Sequence, residues 1–68
     1  MKIILYTTHC PKCNILVQKL KQANIKYVEV TDVEIMQKKG FMTMPMLEVN
    51  SIVMDFVTAN NWINERNK

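Results

Sequence analysis

Two cysteines separated by two residues, Cys10 and Cys13, are the side chains of this sequence whose type and spacing predict chemistry. They lie between an apolar run, Ile3-Ile4-Leu5, and a segment with helical periodicity, and the chain has no other cysteine. Two thiols at this spacing can close a small disulfide and reopen it. We therefore expect thiol–disulfide exchange.

The helix that follows is expected to activate the first thiol. Unpaired N–H groups and the positive end of the helix dipole favour an anion at a helix N-terminus, so Cys10 should ionise more readily than a free thiol. In Cys-x-x-Cys motifs the pKa of cysteine, about 8.5 when free, falls to roughly 3.5–7.5. Pro11 suits the first helical position, because its φ is already helical and its missing N–H costs nothing there. Cys10 is the expected nucleophile, and Cys13, about one turn further on, is the expected resolving thiol.

Length and composition predict a single small domain over residues 1–68. Hydrophobic residues make up 49% of the sequence and charged residues 22%, a profile typical of a folded domain. A disulfide across two residues closes too short a loop to stabilise the fold much, which favours a redox role over a structural one. The opening apolar run is shorter than a signal-peptide core, and no apolar stretch is long enough to span a membrane. We expect a cytoplasmic monomer without a membrane partner.

The net charge of +3 is unevenly distributed along the chain. Five lysines and no acid lie in residues 1–28, whereas all six acids lie from Glu29 onward. A basic surface around Cys10 would lower its pKa and attract an acidic partner, although a solvated helix face is the simpler interpretation. No basic cluster interleaved with aromatic residues accompanies the lysines, so we do not expect nucleic-acid binding.

Hydrophobic patterns place the cysteine motif between a strand and a helix. The expected order is a strand over 2–6, a helix over 11–23, a strand over 27–30, a helix over 33–39, a hairpin of strands over 46–49 and 52–55, and a helix from 58 to about 64. The first two strands should be parallel, and the hairpin antiparallel around Asn50-Ser51. Thr31 or Asp32 is the expected N-cap of the second helix, and Thr58 that of the third. Leu16, Leu20 and Ala23 should share one face of the first helix, beside Ile15 and Val17, and the last helix should place Ala59, Trp62 and Ile63 toward the core.

Two motifs, Cys10-Pro11-Lys12-Cys13 and Thr43-Met44-Pro45, resemble those of glutaredoxin and its thioredoxin-fold relatives. With the expected order of elements, the resemblance covers nearly the whole chain. It implies an α/β fold of thioredoxin-like, glutaredoxin type, β-α-β-α-β-β-α, with a four-stranded mixed sheet flanked by helices. It also implies a cis Pro45 beside Cys10 and a Met44 backbone that hydrogen-bonds a disulfide partner. Substrate contacts are thus expected at Pro11, Lys12, Met44, Pro45 and Thr58.

The activity implied by this resemblance is that of a thiol–disulfide oxidoreductase carrying electrons to protein disulfides. No bound cofactor is implied. The reductant is glutathione, or NADPH through a thioredoxin reductase, and ribonucleotide reductase is one partner that similar small proteins serve. The chain departs from glutathione-using relatives where Thr7 and Thr8 replace a usual lysine or arginine, and where residues 53–56 lack a Gly-Gly pair. Thr58 would then receive a substrate carboxylate with its hydroxyl and N–H.

Two other classes of function share the cysteine spacing. A metallochaperone-like metal-binding domain carries Cys-x-x-Cys after its first strand but ends on a strand, whereas a helix is expected last here. Zinc normally takes four ligands, and the chain offers two cysteines and His9, so we expect no metal site. The methionines are interpreted as adaptable packing residues, with Met42 and Met44 as an apolar lip around the disulfide. A redox-sensing binding module, whose disulfide changes affinity without turnover, is the third alternative.

Overall fold

Strands and helices alternate along the chain before a final hairpin and helix. The computed structural model describes residues 2–66. Its elements are β1 (Ile3–Tyr6), α1 (Pro11–Gln22), β2 (Val28–Val30), α2 (Val33–Lys38), β3 (Met46–Val49), β4 (Ile52–Met54) and α3 (Phe56–Arg66). The predicted order of elements is confirmed, with boundaries that differ by a few residues.

The strands form one mixed sheet in the order β2-β1-β3-β4. β1 pairs parallel with β2 and antiparallel with β3, and β3 pairs antiparallel with β4, as predicted. The Thr7 N–H donates to the Val30 carbonyl at 3.0 Å and continues the parallel pairing to the start of the cysteine loop. Within residues 2–66 the protein is a small α/β unit with a four-stranded mixed sheet and three helices.

One face of this sheet packs against α1 and α3. Leu5 and Leu47 are register partners on the two central strands, and both are fully buried. The buried cluster around them comprises Ile3, Leu5, Leu16, Leu20, Leu47, Val49, Met54, Ala59 and Ile63. Val17, Ala23 and Trp62 pack against this cluster while partly exposed. Ile15, expected beside the face formed by Leu16 and Leu20, is exposed, because it lies off that stripe of the helix.

The opposite face is covered by the segment between α2 and β3. Tyr6 points to this face because successive side chains of a strand alternate. Its ring meets that of Phe41 edge-on with centroids 4.9 Å apart, and its hydroxyl donates to Glu48 Oε1 at 3.3 Å. Lys39 Nζ lies 3.6 Å from the same carboxylate oxygen. These contacts fix the chain that leads into β3 and therefore the position of Pro45.

The last helix begins earlier than the sequence predicts. Asp55, predicted as the end of a strand, is the cap of α3, since its Oδ1 accepts from the Thr58 N–H at 2.9 Å. Thr58 is therefore not the N-cap but lies in the first turn, and the prediction for it is wrong. A carboxylate three residues before an unpaired N–H satisfies that donor and complements the helix dipole, which explains the earlier start. Asp32 is the cap of α2 through the Glu34 N–H.

Candidate active site

Cys10 is the N-cap of α1. Its backbone is extended, with φ −70° and ψ 167°, and its sulfur accepts a hydrogen bond from the Cys13 N–H at 3.3 Å. Its carbonyl accepts the first helical bond, from the Asn14 N–H at 3.0 Å. Pro11 occupies the first helical position, as predicted. The predicted location of the motif at a strand-to-helix turn is confirmed.

The two sulfurs lie together but differ in exposure. Cys10 Sγ is 2.6 Å from Cys13 Sγ, and both residues are free cysteines. Cys10 is half-buried, whereas Cys13 is 0% exposed. An external disulfide can therefore reach the first sulfur but not the second.

Cys13 has a perturbed acidity. Burial raises the pKa of its thiol, but hydrogen bonds from the Cys10 thiol, the Thr7 hydroxyl and the backbone of Thr8 together lower it by more. The net pKa lies below the ordinary value of 9.0. Hydrogen bonds to the charged form of a thiol favour that form, so these donors oppose the effect of burial on Cys13.

The loop before β3 faces the thiols. The Met44–Pro45 peptide bond is cis, Pro45 is fully buried, and the Met44 carbonyl oxygen lies 4.0 Å from Cys10 Sγ. The predictions that Pro45 is cis and that its loop lies beside Cys10 are confirmed. The structure thus brings Cys10, Cys13, Met44 and Pro45 together from two segments that are about thirty residues apart.

A shallow groove of about 200 Å³ adjoins this loop. It is lined by Lys12, Thr43, Met44, Asp55, Phe56 and Val57. Lys12 Nζ lies over the Phe56 ring, 5.6 Å from its centroid. A larger depression of about 490 Å³ lies between Lys2 and Lys26, beside the start of β1. The cysteines follow the other end of that strand, so the smaller groove is the one that adjoins the thiols.

Thr58 does not present its donors to this groove. Its N–H and its hydroxyl both bond the Asp55 carboxylate, and these bonds hold the pKa of Asp55 below its usual value of 3.8. The predicted role of Thr58 in receiving a substrate carboxylate gains no support from this arrangement. Asp55 lines the groove instead and was not predicted as a site residue, because its sequence context is equally typical of a strand end.

The loop before Cys10 contains a second residue that the sequence did not single out. Thr7 is 0% exposed, and its Oγ1 accepts from the His9 N–H at 2.9 Å. His9 has a positive φ of 61°, and its Nε2 lies 3.4 Å from Glu29 Oε1. A threonine at a strand end carries no signal of burial in the sequence, so only the packing of this loop identifies it.

Neither a metal cluster nor a membrane-spanning helix is found in the part of the chain that the structure describes. In residues 2–66 no three His, Cys, Asp or Glu side chains are grouped so that they can hold a metal ion. None of the helices there combines the length and apolar character that crossing a bilayer requires. No protein-family model, curated protein or solved structure matches the chain.

Proposed function

We propose that this chain is a thiol–disulfide oxidoreductase that cycles Cys10 and Cys13 between dithiol and disulfide. The observation that carries the proposal is the pairing of a reachable sulfur at a helix N-cap with a buried sulfur 2.6 Å away. A disulfide that only stabilises the fold does not require an exposed sulfur, and a zinc site requires more ligands than two cysteines. An exposed nucleophile with a resolving partner within reach is the arrangement that disulfide exchange requires.

The fold that we propose is thioredoxin-like, of glutaredoxin type. Its support is the strand order β2-β1-β3-β4. In this order β1 and β2 are parallel, and β3 lies antiparallel between β1 and the edge strand β4. The cysteine motif lies at the first strand-to-helix turn, and the Met44–Pro45 loop leads into β3 beside it. The element order also argues against a metallochaperone-like domain, because such a domain has the order βαββαβ and a final strand, whereas α2 lies between β2 and β3 here and the last described element is α3.

The reaction proceeds in two exchanges. The Cys10 thiolate attacks one sulfur of a partner disulfide, so that a mixed disulfide forms and the other partner sulfur leaves as a thiolate and takes a proton. Cys13 then attacks the Cys10 sulfur, closes the intramolecular disulfide and releases the second partner thiol. The partner gains two electrons and the protein dithiol loses them. The Cys13 N–H, which donates to the Cys10 sulfur at 3.3 Å, stabilises the sulfur anion that begins the first exchange.

We propose protein disulfides as the substrate class. Met42 is 96% exposed in the loop that contacts Cys10 through Met44, and Val57 is 64% exposed at the groove, to which Met44 and Phe56 add apolar surface. Among the described residues none accepts a hydrogen bond from the Met44 N–H, which leaves it for the backbone of an extended partner. Methionine-rich surfaces adapt to different apolar partners.

Glutathione is a poorer fit to this groove. It carries two carboxylates, and the groove offers them one cation, Lys12, whose ammonium group lies over the Phe56 ring. The Asp55 carboxylate lines the same groove and repels a ligand carboxylate. We therefore propose NADPH through a thioredoxin reductase as the electron source, in the cytoplasm, with ribonucleotide reductase as one candidate acceptor.

The source of electrons can be tested directly. Oxidised protein is mixed either with glutathione or with NADPH and a thioredoxin reductase, and free thiols are counted over time. We expect efficient reduction by the reductase and slow reduction by glutathione. Reduction by neither would contradict an electron-carrier function, and efficient reduction by glutathione alone would overturn the choice of reductant.

A trapping experiment tests the two cysteine roles. We expect Cys13→Ser to accumulate a partner protein in a stable mixed disulfide on Cys10, because the resolving thiol is gone. Cys10→Ser is the matched control and should trap nothing, since Cys13 is buried. Mass spectrometry of the trapped species identifies the modified sulfur. Trapping on Cys13 in the control alone would reverse the assigned roles.

A further inference from the structure

The depression beside the start of β1 is remote from the thiols. Its volume is about 490 Å³, and it is lined by Lys2, Ile3, Lys26, Tyr27 and Val28. Sites for small molecules typically have volumes of about 300–1,000 Å³. The four residues of β1, about 13 Å of strand, separate this depression from the cysteine loop. A ligand bound here would therefore leave the groove beside the thiols free.

Two lysines meet at this depression because of the register of the parallel strands. Ile4 pairs with Val28, and two residues earlier on each strand are Lys2 and Lys26. Neighbouring strands lie about 4.8 Å apart, so the two side chains start from adjacent positions on one face of the sheet. The backbone of Lys2 is held there, since its N–H donates to Asn50 Oδ1 and its carbonyl accepts from the Asn50 N–H, both at 3.0 Å.

No acid in the described part of the chain neutralises these two lysines. Neither of them forms a salt bridge with an acid of that part. The acids on the strands beside them are engaged elsewhere, because Glu29 lies 3.4 Å from His9 Nε2 and Glu48 lies 3.6 Å from Lys39 Nζ. Like charges at adjacent strand positions repel each other, and an anion between them would remove that repulsion.

The rest of the depression is apolar and includes an aromatic ring. Val28 is 59% exposed, and Tyr27 is partly buried where it packs against the core cluster. Burial, and then the negative charge of Glu29, raise the pKa of the Tyr27 phenol, so this side chain stays uncharged. An uncharged aromatic ring beside cations suits a planar base, which binds aromatic side chains by stacking.

We propose that this depression binds a nucleotide, with the phosphates between Lys2 and Lys26 and the base against Tyr27 and Val28. Lysine ammonium groups are common ligands of phosphate. Two cations and one ring match a single nucleotide, whereas a nucleic-acid chain requires a longer basic surface. The inference goes beyond the proposed function and involves neither thiol.

Two probes that share their phosphates but differ in the base test this site. ADP and inorganic pyrophosphate are titrated into the full chain at one fixed ionic strength, and the backbone amides are followed by heteronuclear NMR. Both probes should cause saturable shifts at residues 2–3 and 26–28 and none at residues 8–10. ADP should bind at least roughly fivefold more tightly than pyrophosphate, because its base contacts the apolar wall.

Charge variants show whether the two lysines form the phosphate site. Lys2→Gln and Lys26→Gln should each lower the affinity for both probes on the order of tenfold, because each removes a hydrogen bond between charged groups. Lys21→Gln is the matched control. It removes the same charge from an exposed position of α1 outside the depression, and it should leave both affinities unchanged.

Three results would overturn the inference. They are the absence of saturable shifts with either probe, equal affinity for ADP and pyrophosphate, and an equal loss of affinity in Lys21→Gln, which would show that only the net positive charge attracts the anion. None of these results bears on the proposed thiol–disulfide exchange, which the trapping experiment with Cys13→Ser tests separately.

Discussion

At the scale of single residues, exposure separates the two sulfurs more clearly than their spacing does. Cys10 is half-buried at the helix N-cap, and Cys13 is fully buried beneath it. We expect iodoacetamide to modify Cys10 completely in the native reduced protein before Cys13 is modified at all, whereas both react in urea. Peptide mapping by mass spectrometry locates the label, with Cys10→Ser as the control that should stay unmodified. Early label on Cys13 in the native protein would contradict this assignment.

The acidity of Cys13 makes the stability of the reduced protein depend on pH. Burial raises the pKa of this thiol but its hydrogen bonds lower it by more, so the folded protein loses the proton at lower pH than the unfolded chain does. Between the two pKa values the unfolded state binds more protons, and the free energy of unfolding rises with pH. The stabilisation is present above the unfolded pKa and is lost as pH falls through the folded pKa.

We therefore expect reduced wild type to gain stability relative to reduced Cys13→Ser as pH rises towards 9.0. Urea unfolding of both proteins under strictly reducing conditions, at a series of pH values, measures this difference. A constant difference across the series would show that Cys13 has the same acidity in the folded and unfolded states.

At the scale of elements, the start of α3 depends on one carboxylate. Asp55 Oδ1 accepts from the Thr58 N–H at 2.9 Å, and this bond holds the pKa of Asp55 below 3.8. We expect Asp55→Ala to lower the Tm by several degrees and Asp55→Asn to remain near wild type, because Asn is an equally good cap. The stabilisation should be present above the unfolded pKa of Asp55 and should be lost in acid, as pH falls through the folded pKa.

Thermal unfolding followed by circular dichroism, at neutral and acid pH, measures the contribution of this cap. Thr58→Val is the comparison variant, since it removes the hydroxyl bond to the Asp55 carboxylate but keeps the bond from the N–H. A larger loss of Tm in Thr58→Val than in Asp55→Ala would show that Thr58, and not Asp55, is the N-cap of α3.

The boundaries of the helices and strands show why some features were predictable from the sequence and others were not. Pro11 marks the start of α1 unambiguously, and Asn50-Ser51 adopts positive φ values of 49° and 73°, as a tight hairpin turn requires. These are backbone preferences, which a sequence carries locally. Asp55 and Thr58 are both good caps, and only the length of β4 in the sheet decides between them.

The residues of the candidate site also fall into those that the sequence predicted and those that it did not. Cys10, Cys13 and the Pro45 loop were predicted together, because a motif and a resemblance identified their residue types in advance. Thr7 and Asp55 were missed, since they are common polar residues whose importance comes from burial and from the groove they enter. Tertiary packing alone buries Thr7 and places Asp55 at the groove.

At the scale of the whole molecule, the core and the site share the central strands. β1 ends at the cysteine loop and β3 begins directly after Pro45, so the pairing of these two strands fixes the distance between Cys10 and the proline loop. A single buried cluster on one sheet face, together with α1 and α3, supports that pairing. Any loosening of this cluster should therefore affect stability and the thiol site together.

Leu47 lies at the centre of that cluster, two residues after Pro45, and is 0% exposed. Leu47→Ala should cost about 2–5 kcal/mol of unfolding free energy. A chain of this length has a total stability of only roughly 3–10 kcal/mol, so the loss is a large part of the whole. Ile52→Ala on the adjacent strand is the control, since Ile52 is 66% exposed and surface changes usually stay within about 0.5 kcal/mol.

Urea unfolding under reducing conditions gives both free energies, and a change in midpoint without a change in slope attributes the loss to stability alone. Because Leu47 supports the strand that carries the proline loop, Leu47→Ala should also make Cys13 accessible to alkylation at urea concentrations where wild type still protects it. A variant that is destabilised as expected but protects Cys13 up to its own unfolding transition would show that the thiol site opens only with global unfolding. Equal losses of stability in Leu47→Ala and Ile52→Ala would contradict the position of the core on this face of the sheet.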